Sequence, residues 1–276
     1  FYDDGTEAPG FSFQAGDRFQ SAPAILEING EKVIFVGSSD NNLYAINSDG
    51  TLRFSVPTSN KVFNSPSFLD YNNAFHIFFS DDSGMLYGVD SDGNPISGFP
   101  VDAGAVISQS ISFSDLDGNN VPEIIGVTEL TDIVVFNLDG SFHDGFPMDN
   151  EFPFTAAPLI MDMDSDGDLE ILAGSVSSLV SIDVKTSGSS EGYWNMFRGG
   201  AKRTGFYNIS SDSDCGSALG DVNEDGTVNI LDIVQVANAV LGGSLSECGS
   251  EAADINGDGS LNILDIVSIA NIILNN

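Results

Sequence analysis

One 22-residue phrase is written twice near the end of the chain: GDVNEDGTVNILDIVQVANAVL at 220–241 and ADINGDGSLNILDIVSIANIIL at 253–274. At an offset of 33 residues the two copies agree at 13 of 22 positions, first on oxygen-bearing loop residues and then on an apolar helical face. The loop spacing is chemically specific. A calcium loop of 12 residues needs side-chain oxygens at positions 1, 3 and 5, a glycine at 6 for the sharp turn, a carbonyl at 7, and ligands at 9 and 12. The first copy supplies Asp221, Asn223, Asp225, Gly226, Thr227, Asn229 and Asp232; the second supplies Asp254, Asn256, Asp258, Gly259, Ser260, Asn262 and Asp265. Both loops end in Asp rather than Glu, and no apolar-periodic helix precedes either one. The pattern is that of half an EF-hand, used twice.

Composition matters most around this segment. The chain of 276 residues carries 8 Lys and Arg against 41 Asp and Glu, a formal charge of −33, which argues against nucleic acid and anionic lipid as partners. Residues 208–276 hold no Lys or Arg at all. Such an acidic module repels itself unless cations neutralise its most crowded points.

The duplicated segment resembles a type I dockerin, the calcium-folded module whose two loop-helix repeats plug into a cohesin domain. The resemblance covers residues 215–276 and implies two bound calcium ions. It also implies that loop positions 10 and 11 touch the partner, here Ile230 with Leu231 and Ile263 with Leu264. The same aliphatic pair in both copies would let either repeat dock. A residue expected to be basic is Asn238 in one copy and Asn271 in the other. The competing reading is that these aliphatics fill the module's own core, since Ile230, Ile233, Val234, Ala237 and Leu241 lie at helical spacing.

Cys215 and Cys248 each lie six residues before a loop's first Asp, and so occupy one position of the duplicated unit. If the halves are related by a pseudo-twofold axis, the two can meet. A disulfide closing that loop of about 34 residues would contribute roughly 3–4 kcal/mol on chain-entropy grounds; the alternative is two free, buried thiols. A start at Phe1 without Met, no secretion signal, no transmembrane run and the calcium loops together suggest a mature, processed fragment of a secreted, extracellular or cell-surface protein.

Residues 1–207 repeat at a longer period. The anchors Pro23, Pro66, Ile111 and Pro158, in SAPAI, SPSF, SISF and AAPLI, are 43, 45 and 47 residues apart, the length of a four-stranded propeller blade. Asp-Gly pairs at 49–50, 92–93 and 139–140 mark hairpins in which both turn positions accept positive φ. The expected fold is therefore mainly β, four propeller-type blades over 1–207, followed by a polar link at 208–214 and a small α-helical dockerin-like domain over 215–276. The opening stretch GFSFQAGDRF (10–19) reads as an outer strand that could pair with the last blade and close the ring. YWNMFRGGAKRTGFY (193–207), with the sole Trp and with Arg198, Lys202 and Arg203, resembles the end of secreted FG-GAP and quinoprotein-like propellers. It either forms a ligand platform or seals the blades while neutralising nearby carboxylates. Asn208-Ile209-Ser210 fits the N-glycosylation pattern.

Two blades carry acidic first-hairpin turns. DLDGNNVPE offers Asp115, Asp117, Asn119, the Val121 carbonyl and Glu123; DMDSDGDLE offers Asp162, Asp164, Asp166, the Asp168 carbonyl and Glu170. These resemble the FG-GAP calcium hairpin of integrin-type propellers, which implies two further calcium ions. The turns EINGEK and DYNNAF in the first two blades lack the carboxylate set.

No catalytic string appears. His76 in AFHIFF reads as a strand residue and His143 in FHDGF as a surface loop residue, and the clustered acids sit at calcium spacing, so no catalytic residue is nominated. The leading expectation is a non-catalytic assembly protein whose partner is a cohesin-like domain or another copy of the chain. A glycan-binding or adhesive module of a larger secreted enzyme is the alternative, and a hydrolase or lyase propeller comes last.

Overall fold

The computed structural model describes residues 13–107, 109–200, 203–207, 219–223, 225–255 and 260–275. They belong to two compact units, Phe1–Ile209 and Ser210–Asn276.

The first unit is built from four antiparallel sheets, each a meander whose spatial order follows the chain. Sheet one holds β1 (Ala24–Ile28), β2 (Glu31–Ser38), β3 (Asn42–Asn47) and β4 (Leu52–Pro57). Sheet two holds β5 (Ser67–Tyr71), β6 (Ala74–Ser80), β7 (Met85–Asp90) and β8 (Val101–Asp102). Sheet three holds β9 (Ser112–Ser114), β10 (Glu123–Val127), β11 (Asp132–Phe136) and β12 (Met148–Asp149). Sheet four holds β13 (Leu159–Met161), β14 (Asp168–Gly174) and β15 (Leu179–Ser187). Among the described residues the fourth sheet has three strands, and the last strand, β16 (Phe206–Tyr207), pairs in parallel with β1.

The hairpins follow local chemistry. Asn29-Gly30 and Asn72-Asn73 take positive φ at both positions, which Asn and Gly tolerate best. The Asp-Gly turns differ from expectation: only Gly50, Gly93 and Gly140 have positive φ. In two of the turns the Asp caps with its side chain, Asp49 accepting from the Thr51 amide and Asp139 from the Ser141 amide, both at 2.9 Å, an Asx turn followed by an αL glycine; at 92–93 it is Asp90 that accepts, from the Asp92 and Asn94 amides. Gly140 is also where sheets two and three meet, since a Cβ on it would collide with the Gly98 carbonyl.

Packing of sheet on sheet makes the core. Phe35, Phe68, Phe78 and Phe113 are fully buried across the first three sheets, while Ile125, Val135, Ile160 and Ile171 join the third to the fourth. Adjacent first strands are tied by buried serines: Ser67 donates to the Ile111 carbonyl and Ser112 to that of Pro158. The closing stretch then runs along the first strands of all four sheets. Gly205 accepts from Ile25, Trp194 from Phe113, and Asn195 from Ile160, and the Trp194 ring meets Phe68 edge-on at 5.4 Å. Trp194 is 2% exposed, so its ring is packed between the sheets and is not offered to a ligand. Arg198 donates to the carbonyls of Pro23, Arg203 and Thr204, so its guanidinium serves backbone oxygens, not the carboxylates expected; Lys202 lies outside the described residues.

The described part of the opening stretch also departs from expectation. Arg18 accepts from Ser39, Phe19 bridges Ser38, and Phe13 and Phe19 pack on Tyr44. These residues therefore cover sheet one; a pairing with the last sheet is not what they make. The link at 208–214 and the Asn208 sequon lie outside the described residues.

The second unit holds α1 (Ile230–Val240), α2 (Glu247–Ala253) and α3 (Ile263–Asn275). Its small core is Val222, Val236, Ala253 and Ile269, with Ile233, Ile266 and Ile273 partly buried against it. Helix α2 immediately precedes the second loop, so the half EF-hand reading misses one short helix. Its sequence ECGSEAA has no apolar period; Ser246 caps it by accepting from the Gly249 amide at 2.9 Å, and among its described residues Gly249, Ala252 and Ala253 are buried.

Candidate cation sites and docking surface

The first duplicated loop folds around its own carboxylates. Asp221 accepts from the amides of Asp225 and Gly226, and Asp232 accepts from those of Val222 and Asn223. Gly226 takes φ 84°, as loop position 6 requires. Asn223 accepts from Asp225, and Asp225 accepts from the Thr227 amide and hydroxyl. That hydroxyl and the Asn223 amide hold the Asp225 carboxyl below its ordinary pKa. Asp232 and Asn229 also form a reciprocal capping box at the start of α1, so the residue that closes the loop starts the helix. Thr227 keeps its carbonyl, at position 7, bonded to the Asn229 amide group at 3.1 Å.

The second loop is described only in part. Asn256 and Asp258 lie outside the described residues, while Asn262 bonds the Ser260 carbonyl and donates its own amide to Asp265 Oδ2. Asp265 Oδ1 is buried and without a protein partner. A fully buried carboxylate oxygen with no donor is costly, and a hard cation on an all-oxygen loop satisfies it. The residues present therefore fit calcium.

The hairpins of the third and fourth sheets fit cations as well. In the fourth sheet, ligand oxygens of Asp162, Asp164 and Glu170 lie within 4.8 Å of one another, and so do those of Asp166, Asp168 and Glu170. The Asp168 side chain thus stands in the cluster, where only its carbonyl was expected. Its Oδ1 has no hydrogen-bond partner, and its carboxyl is pushed up to about 6 by the hydrogen bond it shares with Asp166, with burial and the neighbouring charges adding to the effect. In the third sheet Asp115 accepts from the Asn119 and Asn120 amides, Asn119 accepts from Val121, and Glu123 accepts from Leu116. Burial drives the Glu123 carboxyl up to about 7.

Helices α1 and α3 of the second unit each leave an aliphatic face exposed. Ile230 and Leu231 are 64% and 56% exposed, Ile263 and Leu264 are 63% and 59%, and Val234 and Val267 are half exposed beside them. The helical period is therefore split: Val236 and Ile269 are inside, and the duplicated pairs are outside. The four residues do not fill the module's own core.

Residues 219–274 match the dockerin type I domain.

A dockerin domain binds calcium and docks a protein partner of the cohesin kind, so the duplicated loops and the exposed pairs have one context. Asn238 and Asn271 are exposed on the dockerin's helices. Cys248 sits on α2 of the dockerin, whereas Cys215 lies outside the described residues. No curated protein matches the chain. Solved structures similar to this chain include BamB from Moraxella catarrhalis, at 14% identity and TM-score 0.46, covering 64% of this chain and 50% of that one. The V. cholerae biofilm matrix protein Bap1 gives 18%, 0.44, 56% and 28%, and the computationally designed Ika4 protein 9%, 0.38, 64% and 99%. The chain spans half or less of the first two structures.

His143 is the residue that sequence reasoning misplaced. Its side chain is only 14% exposed and stands 4.0 Å from Glu123, not on the surface. The signal available was its offset: it follows the Asp-Gly turn where the second sheet carries the half-buried Ile96. His76 keeps its expected place in β6.

Proposed function

We propose that this chain is a non-catalytic, calcium-stabilised component of an extracellular assembly, attached through its dockerin domain to a cohesin-type partner. The observation that carries the reading is the outward position of Ile230, Leu231, Ile263 and Leu264 on helices whose other faces supply the core. Clustered apolar exposure of this kind marks a protein contact. Calcium in both dockerin loops would hold the two helices in place and neutralise a segment without a single basic residue. The sheets, of FG-GAP or related propeller type, would act as a rigid body, with calcium at Asp162, Asp164, Asp166, Asp168 and Glu170 pinning the fourth sheet's first turn. Pairing of Cys215 with Cys248 belongs to the same extracellular reading.

The test is surface plasmon resonance of the full chain over an immobilised type I cohesin domain and, in a second channel, over the chain itself. Binding to cohesin in millimolar calcium that vanishes in chelator supports the proposal. Binding only to the second copy would replace the cohesin by self-assembly, and no binding to either would remove the docking function.

A further inference from the structure

The hairpin in the third sheet differs from the one in the fourth by a nitrogen. One oxygen of Asp117, one oxygen of Glu123 and one ring nitrogen of His143 lie within 4.8 Å of one another. Glu123 opens β10 and is 2% exposed; its Oε2 is taken by the Leu116 amide at 2.7 Å, which leaves Oε1 facing the imidazole. At 4.0 Å that pair is too long for a hydrogen bond. The ring is fixed through the Nδ1 of that pair, which also lies 3.1 Å from Asn137 Oδ1; the tautomer protonated there donates to the amide oxygen and keeps its lone pair on Nε2. Either tautomer leaves one nitrogen with a lone pair.

Asp117 and His143 border a cavity of about 340 Å³, lined with them by Asp144 on one side and by Ile182, Asp183 and Val184 of β15 on the other. The cavity leaves room for water beside an ion. Ligands bound at about 2.0–2.2 Å to a common ion stand no more than about 4.4 Å apart, so side-chain movements on the order of 1 Å close the set.

Sheet two shows what the same backbone does without this chemistry. Ile96 there donates its amide to Gly88 as His143 donates to Val135, and Ile96 packs against the core. In sheet three the imidazole thus replaces a core aliphatic, opposite a buried carboxylate.

We infer that Asp117, Glu123 and His143 form a mixed nitrogen-oxygen site for a first-row divalent ion of borderline softness, zinc being the best match, distinct from the all-oxygen calcium sites. Imidazole with carboxylates suits such an ion, whereas calcium takes oxygen alone. The inference rests on reading the 115–123 hairpin as a cation-binding turn and changes which cation it takes.

The experiment uses the full chain, stripped of metal and then saturated with calcium, titrated with Zn²⁺ by calorimetry and followed by NMR of its two histidines. One zinc ion should bind, moving the His143 ring signals and leaving those of His76 in place. His143→Ile, which installs the residue sheet two already carries, should weaken binding at least tenfold; His143→Asn gives the same readout should the first variant fail to fold. Asp162→Asn should leave zinc affinity unchanged and remove one calcium. Equal zinc affinity in wild type and both His143 variants, or unmoved His143 signals, overturns the inference. If Asp162→Asn also leaves calcium stoichiometry untouched, the cation reading of the hairpins falls with it.

Discussion

Ser67 Oγ donates to the Ile111 carbonyl at 2.7 Å, with the serine wholly buried. Ile111 is one of the four anchors at which the sequence repeat was phased, and Ser112 makes the corresponding bond to the next anchor, Pro158. The repeat therefore encodes the contact from one sheet's first strand to the next.

Replacing Ser67 by Ala strands a buried acceptor and should cost about 1–2 kcal/mol. Urea unfolding followed by circular dichroism checks this; a variant as stable as wild type would show that the bond is incidental.

Trp194 seals the first strands from the inside, yet its Nε1 has no partner. Trp194→Phe keeps most of the packing and removes the orphaned donor, so its cost should stay under about 1.5 kcal/mol, whereas Trp194→Ala should cost about 3–5 kcal/mol. Equal losses for the two would mean that ring packing is not what Trp194 contributes.

Asp265 ends a calcium loop and starts α3, with one oxygen bonded to Asn262 and the other bare. Asp265→Ala should remove one calcium from the dockerin and lower helical signal in calcium to near the chelator level for that half. Calcium-specific electrode titration with far-ultraviolet dichroism reads both, and an undiminished stoichiometry would remove Asp265 from the ligand set.

The exposed pairs allow a test that separates docking from folding. Ile230→Ser with Leu231→Ser should change stability by no more than about 0.5 kcal/mol, since neither residue is in the core, and Ile263→Ser with Leu264→Ser likewise. If either repeat docks, each double variant keeps cohesin binding and the quadruple variant loses it. Loss in one double variant alone would assign docking to a single repeat.

His76 gives the chain an acid-sensitive position in its first unit. Burial in β6 lowers its pKa, outweighing the opposing pull of the Leu69 backbone and of Asp70 and Asp90. Between its lowered folded value and the ordinary histidine value of about 6.5 the unfolded chain then binds more protons than the folded one. Stability should accordingly fall as pH drops through and below that value, and His76→Gln should flatten the dependence. Imidazole NMR titration placing His76 at or above the ordinary value would reverse the sign.

The elements legible in the chain were those set by neighbours in sequence. The first of the twin loops, the positions of the hairpin turns and the period of the four sheets all rest on contacts a few residues long, which residue type and spacing decide. What the sequence could not settle was which faces are buried and what meets across strands. Helical spacing grouped Ile230 with Ile233, Val234, Ala237 and Leu241 and passed over Val236, and only the packing of α1 on α3 left Ile230 outside and put Val236 in the core. The Arg18–Phe19 segment carried an outer-strand pattern but no mark of which sheet it would cover. His143 and Glu123 are twenty residues apart, in different turns, and nothing local pairs them. The antiparallel register of β10 with β11, and the turn that follows, bring the imidazole over the buried carboxylate. Periodicity sets one face of a strand or helix against another, but only tertiary packing determines which face becomes an interior and which two residues share it.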